Sequence, residues 1–179
     1  SECEREEYLD IVKANSNLLL HLINDILDLS RIESGKMEFI DENIQMDELC
    51  EELRQMHQMR IKNDVKIIFE RPAASLTIVS DSHRLRQLYS NLISNAIKYT
   101  EKGAITFGYK LKGDMMEGYV RDSGSGIPAE KLNNVFGRFE KLDLLKQGFG
   151  LGLSICKSIL DKMGGEIWVE SELGVGSCF

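Results

Sequence analysis

The chain has no basic excess. Its 22 Lys and Arg stand against 29 Asp and Glu, a net charge of −7 over 179 residues, and a nucleic-acid surface would need the opposite balance to neutralise phosphates. No apolar run approaches the length of a membrane span, and no signal-peptide pattern opens the chain. These residues are therefore expected to make no membrane contact and to work in a cytoplasmic setting. Cysteine is sparse and scattered. Cys3, Cys50, Cys156 and Cys178 form no CxxC pair, which argues against a zinc site or a disulfide framework and for reduced thiols. Two familiar phosphate motifs are missing as well: there is no GxxxxGK followed by Ser or Thr, and no GxGxxG after a first strand with an acid about 20 residues on.

What is present is glycine at two places. Asp122 Ser123 Gly124 Ser125 Gly126 Ile127 Pro128 follows an apolar, strand-like run, and Gly148 Phe149 Gly150 Leu151 Gly152 Leu153 leads into an amphipathic helix from Leu151 to Met163. Such turns leave backbone N–H groups open to a ligand with no Cβ in the way, and a helix N-terminus adds partial positive charge. Both point to an anion, and to phosphate. Upstream, Asn91 Leu92 Ile93 Ser94 Asn95 Ala96 Ile97 Lys98 Tyr99 Thr100 reads as a helix whose spacings of four and three put Asn91, Asn95 and Lys98 on one face. A carboxamide oxygen suits a Mg2+ ion that stays partly hydrated on a triphosphate, and a lysine suits phosphate oxygens. Asp122, at a strand end before a turn, can accept a hydrogen bond from the exocyclic amine of adenine, where guanine offers a carbonyl. The same residue is also an ordinary turn-former before Ser123 and Gly124.

In this order the elements resemble the ATP-binding domain of sensor histidine kinases, within the wider GHKL superfamily of gyrase, mismatch-repair and heat-shock chaperone ATPases. The family's N box resembles Asn91 to Thr100, its first glycine box Asp122 to Pro128, and its F box Val135 Phe136 Gly137 Arg138 Phe139. Its second glycine box resembles Gly148 to Leu153, and a terminal GxGS stands at Gly174 Val175 Gly176 Ser177. The resemblance covers nearly the whole chain, and the ordered set is far more specific than any one box. It implies ATP and Mg2+ as cofactors, with Asp122 reading adenine and Gly126 and Ile127 lining the base pocket. It further implies Asn95 as the Mg2+ ligand, Asn91 as its companion on the phosphate side, and Lys98 and Tyr99 at ribose and phosphate. The glycine boxes add Gly124, Gly148, Phe149, Gly150, Leu151, Gly152 and Leu153 to the ATP-binding set. Lys141 stands where the family often carries a cationic lid residue aimed at the γ-phosphate; an exposed lysine is the plain alternative. Phe149 departs from the small residue usual at its position, and a phenyl group there shields phosphates or holds the lid but donates no hydrogen bond.

A composition of 42% hydrophobic and 28% charged residues suits one globular domain with an appendage. The appendage is read at residues 1–35. From Glu4 to Ile32, Leu9, Val12, Leu19, Leu22, Ile23, Ile26 and Leu29 keep a three-and-four rhythm that predicts a long amphipathic helix, stopped at Ser34 Gly35. Its broad stripe needs partner helices. Leu27 to Lys36 resembles the end of the second helix of the histidine kinase dimerisation hairpin, which implies a four-helix bundle between two copies, a homodimer in the intact protein. The family's acceptor histidine, followed by an acid and a proline, has no counterpart here. His21 lacks that context and is read as a packing or bundle-surface residue, so the acceptor helix is expected to be absent from this chain. His57 and His83 are expected on helix surfaces.

Residues 36–179 are read as the ATP-binding catalytic domain. Asp47 is expected to cap a helix with Leu49, Leu53, Met56 and Met59 on its apolar side, and Asp81 to cap the N-box helix. Val65 to Phe69 and Leu76 to Val79 read as strands separated by turn residues around Pro72, and Ala104 to Leu111 with Tyr119 and Val120 as a hairpin turned at Gly113 Asp114. Glu166 to Glu170 is expected as a further strand, and Ser177 to Phe179 as the start of a last one that is cut short. Phe136 and Phe139 are expected as apolar anchors, and Lys141 to Gln147 as a lid. The expected fold is α/β: a two-layer sandwich of a mixed β-sheet with helices on one face, preceded by a long amphipathic helix.

Asn91 separates the functional classes. Hydrolytic members of the superfamily have a glutamate there, whose carboxylate activates water as a general base; an amide does not. The resemblance then implies the catalytic part of a two-component histidine kinase. It would transfer the γ-phosphoryl group of Mg-ATP to a histidine on another helix, for relay to an aspartate in the receiver domain of a response regulator. Two alternatives stay open: a GHKL ATPase that uses hydrolysis as a conformational switch, and a non-catalytic dimerising module that retains a nucleotide pocket.

Overall fold

The computed structural model describes residues 2–61, 64–141 and 148–179. Glu2–Glu33 forms one helix, α1. It ends at glycine: Gly35 adopts a φ of 66°, Lys36 N–H reaches the Arg31 carbonyl at 2.9 Å, and Gly35 N–H reaches the Ile32 carbonyl at 3.1 Å. These are the paired bonds of a Schellman stop. One seam of α1, formed by Leu18, Leu22, Asp25, Leu29 and Ile32, is buried or half-buried. Beside it, Leu9, Val12, Leu19, Ile23 and Ile26 are exposed.

The chain continues as β1 (Glu42–Gln45), α2 (Met46–Gln58), β2 (Val65–Glu70), β3 (Thr77–Ser80) and α3 (Ser82–Tyr99). Then come β4 (Gly103–Lys112), β5 (Met115–Asp122), a 3-10 helix over Ala129–Asn134, α4 (Gly152–Lys162), β6 (Glu170–Glu172) and β7 (Gly176–Cys178). β1 and β3 form a small antiparallel ladder, and the main sheet has the order β2-β4-β5-β7-β6. It is parallel between β2 and β4 and antiparallel elsewhere. Val65, Ile67, Ile105, Phe107, Tyr109 and Val120 are buried on one face, where α2 packs on β2 and α3 on β4 and β5. The opposite face is open, with Lys66, Ile68 and Glu70 exposed. This is the expected two-layer α/β sandwich.

One cross-strand row positions the site. Ile67, Ile105, Asp122, Ser177 and Ser171 are successive register partners from β2 to β6. Directly paired residues put their side chains on the same face, so the row passes from apolar core to polar groups at Asp122.

Several local expectations are corrected. Asp47 does not cap α2: the cap position falls on Gln45, without a side-chain bond, because the β1–β3 ladder runs straight into the helix. Asp47 sits in the first turn and accepts a hydrogen bond from the Tyr109 hydroxyl. The buried stripe of α2 is Met46, Leu49, Cys50, Leu53 and His57, which leaves Met56 and Met59 exposed on other faces. His57 is thus interior rather than on a surface, with Nε2 3.3 Å from Ser90 Oγ and, among the described residues, no partner for Nδ1. Its burial, with Arg60 nearby, pushes its pKa down to about 4, so the ring is neutral. His21 and His83 are exposed. The strand expected from Glu166 starts only at Glu170, because the β6–β7 register carries the pairing partners of residues 166–168 past Phe179. Among the described residues the Phe139 ring is exposed rather than an apolar anchor, and Val135 is buried instead, while Phe136 meets the Phe179 ring edge-on at 6.3 Å between centroids. Of the expected lid from Lys141 to Gln147, residues 142–147 lie outside the described residues.

Candidate functional site

α3 is held at its start by Asp81, whose Oδ1 accepts from Arg84 N–H at 2.9 Å and whose Oδ2 accepts from Ile40 N–H at 2.9 Å. Burial works to raise this carboxyl, but the two N–H bonds outweigh it and hold its pKa below the usual value. The helix buries Leu85, Leu88, Tyr89, Ile93 and Ala96, which leaves Asn91, Asn95 and Lys98 half-buried along its margin. Asn91 Nδ2 donates to the Gly152 carbonyl at 3.4 Å, so the N box is tied to the start of α4. The Lys98 ammonium lies 4.9 Å from the centre of the Tyr99 ring and 3.4 Å from where a Cβ would stand on Gly148. The predicted helix face and the second glycine turn therefore meet.

The first glycine turn closes the other side. Asp122 ends β5 and its Oδ1 accepts from Gly124 N–H at 2.8 Å, the turn expected of Asp before Ser-Gly. Burial pushes the Asp122 carboxyl above its ordinary pKa, against the N–H groups of Gly124 and Ser177 that favour the charged form. Ser125 N–H donates to the Tyr99 carbonyl at 3.2 Å, and a Cβ on Gly124 would collide with that same carbonyl. The turn thus lies directly against the end of α3. Gly126 adopts a φ of 68° with the Glu172 carbonyl where a side chain would go, and Ile127 is buried beside it.

In the second turn Gly148 and Gly150 adopt φ values of 118° and 73°, a conformation that favours glycine. A Cβ on Gly150 would sit 2.5 Å from the Glu140 carbonyl, and Phe139 N–H donates to the Gly150 carbonyl at 2.9 Å. The F-box segment is pinned to this turn, with Phe139 itself at a φ of 61°, and Lys141 follows within two residues. Phe149 is 36% exposed, and Leu151 is buried at the start of α4. Leu153 is half-buried in the first turn of α4, behind Gly152. The first-turn amides of α4 add their partial positive charge at this point.

The sequence-predicted residues Asn91, Asn95, Lys98, Tyr99, Asp122, Gly124, Gly126, Ile127, Gly148, Phe149, Gly150, Leu151 and Gly152 are thus brought together by contacts among α3 and the two glycine turns. Sequence reasoning missed two polar ties. Ser171 accepts from Ile127 N–H at 2.8 Å; its signal is its place opposite Ser177 in the β6–β7 register. Asp28 of α1 accepts from Gln87 Nε2 at 2.6 Å and from Arg84 Nη1 at 3.3 Å, and no local pattern announces that contact.

Residues 80–179 match the family of histidine kinase-, DNA gyrase B- and HSP90-like ATPases, and residues 1–35 match the His kinase A (phospho-acceptor) domain. The chain is 39% identical to hybrid signal transduction histidine kinase B of Dictyostelium discoideum, over 98% of this chain and 9% of that protein. It is 36% identical to the sensor histidine kinase RcsC of Escherichia coli, over 92% of this chain and 18% of that protein. The chain therefore spans less than a fifth of the length of either relative. Among solved structures, full-length ShkA in complex with AMPPNP superposes with a TM-score of 0.84 at 27% identity, covering 98% of this chain and 38% of that one. With the boxes assembled in space and both segments matched, the chain belongs to the histidine kinase-, DNA gyrase B- and HSP90-like ATPase family, its ATPase-like domain standing behind a helix that matches the His kinase A domain.

Proposed function

We propose that this chain holds Mg-ATP and presents its γ-phosphoryl group to a histidine on a helix outside these residues, within a two-component signalling kinase. The observation that carries this is Asn91: its amide donates to the Gly152 carbonyl at the junction of α3 and the second glycine turn. An amide so engaged is no general base, so Asn91 does not activate water as a glutamate there would, and transfer to a positioned nitrogen is favoured.

The donor set fits the nucleotide. Asp122 accepts the adenine amine, Gly126 and Ile127 line the base, and Lys98 and Tyr99 serve ribose and phosphates. Gly124, Leu153 and the second glycine turn complete the cradle, with Lys141 as its lid cation. Asn95 is the protein ligand for Mg2+, a hard cation that takes oxygen donors and keeps several waters. Mg2+ bound there supplies neutralisation of the charge on the transferring group. Residues 1–35 act as the second helix of the dimerisation hairpin and residues 36–179 as the ATP-binding domain. The exposed seam of α1 meets its hairpin partner and a second copy, and the phosphoryl group passes on to a receiver aspartate of a response regulator on the cytoplasmic side.

Incubation with Mg2+ and γ-labelled ATP tests this, with and without the first hairpin helix of the parent kinase. Acid-labile, base-stable label is expected on the added helix and none on the chain alone, and Asp122→Asn is expected to abolish ATP binding in calorimetry while the fold is retained. Steady release of free phosphate without labelled protein would replace this reading with the ATPase one.

A further inference from the structure

One half-buried hydroxyl joins three of the segments that build the base pocket. Ser171 Oγ donates to the Gly176 carbonyl at 2.8 Å, accepts from Ile127 N–H at 2.8 Å, and lies 3.0 Å from Ser177 Oγ. A serine hydroxyl has one proton and two lone pairs. With its proton given to Gly176, it receives the Ser177 proton, and all three capacities are used. Ser177 is the register partner of both Ser171 and Asp122, so its hydroxyl sits on the strand paired with the end of β5 that carries the Asp122 carboxylate. The seating is close: at Gly176, whose φ is 133°, the backbone of Asp122 and Ser123 fills the space a side chain would need.

β6 and β7 are three residues each, so their ladder alone does little to fix where the Gly126–Ile127 turn lies relative to Asp122. The Gly174 N–H holds one end of that turn by bonding the Ser125 carbonyl at 2.8 Å, and the Ser171 hydroxyl holds the other, bonding the turn at Ile127 and the strand at Gly176. We infer that Ser171 is a positioning residue for adenine recognition, holding the first glycine turn and β7 in the register that aims the Asp122 carboxylate at the base. This rests on the reading of Asp122 as the adenine acceptor. It acts on the base and not on the phosphates, since none of its bonds reaches α3 or the second glycine turn.

Calorimetry of the chain with ATP and with purine riboside triphosphate, which lacks the 6-amine, tests it. The unaltered chain is expected to prefer ATP. Ser171→Ala is expected to weaken ATP about tenfold, the worth of one hydrogen bond to a charged group, and to leave purine riboside triphosphate nearly unchanged, so that the preference collapses. Ser171→Thr, which keeps the hydroxyl, is expected to restore it. Equal weakening of both nucleotides would show a merely structural serine and overturn the inference, as would no change in either. If Ser171→Ala abolishes the thermal transition, Ser171→Cys, close in volume, carries the same ratio test. An unaltered chain that binds both nucleotides equally would overturn the Asp122 reading itself and this inference with it, an outcome seen before any variant is made.

Discussion

The two seams of α1 are alike in chemistry and opposite in fate. Leu22, Leu29 and Ile32 pack into the same apolar core as α3 and α4, and Asp28 on that side reaches Arg84 and Gln87. One residue around the helix, Leu19, Ile23 and Ile26 are 45–55% exposed. Hydropathy sees a single broad stripe, because two adjacent heptad-like seams overlap in it. What tells them apart is polar: the docked seam is interrupted by Asp25 and Asp28, placed opposite α3 and α4, whereas the open one is apolar where it faces outward. A helix that serves two partners shows itself by where its charges break the stripe.

The largest test of this difference is truncation. Leu29→Ala is expected to cost about 3 kcal/mol in denaturant unfolding, as for a core leucine, while Ile23→Ala stays within about 0.5 kcal/mol. Equal costs would erase the distinction between the seams.

Acid attacks the domain core at α2 instead. His57 is neutral in the core, with a pKa of about 4 against about 6.5 when unfolded. Because the folded value is the lower one, the unfolded chain binds the extra proton. Stability is then full above about pH 6.5 and falls by about 3 kcal/mol by pH 4. Denaturation midpoints measured across that range should show the fall, and His57→Gln should flatten it; an unchanged slope would mean that the ring is not what titrates.

A smaller effect is expected from the polar tie. The Arg84 and Asp28 side chains are only 9% and 16% exposed, so Arg84→Ala, which strands a shielded carboxylate, should cost about 2 kcal/mol. Adding Asp28→Ala should recover part of it. A double variant as unstable as the sum of the two would place the stabilisation in packing rather than in the ion pair.

The site was more legible in the sequence than its supports were. Asn91, Asn95 and Lys98 declare themselves by helical spacing, and the glycine turns by the conformations they need, because both signals are local. Asp81 was legible as a cap for the same reason. Asp47 offered the same signal and failed, since the β1–β3 ladder, a pairing across 32 residues or more, sets where α2 begins. His57 looked like a surface residue because its polarity is visible in sequence, whereas the α2 stripe that buries it is fixed by Met46 and Cys50 packing inward. Ser171 and Arg84 act only through partners brought near by sheet register and helix docking, and no local pattern encodes those.

One carboxylate carries a consequence for how this chain tolerates change. Asp81 gives one oxygen to the first turn of α3 and the other to the backbone of Ile40, just beyond the end of α1. A substitution there removes two supports in one step, so its effect will not add to those of substitutions in either segment. Sequence drift near residue 40 and drift near residue 84 are therefore epistatic through position 81.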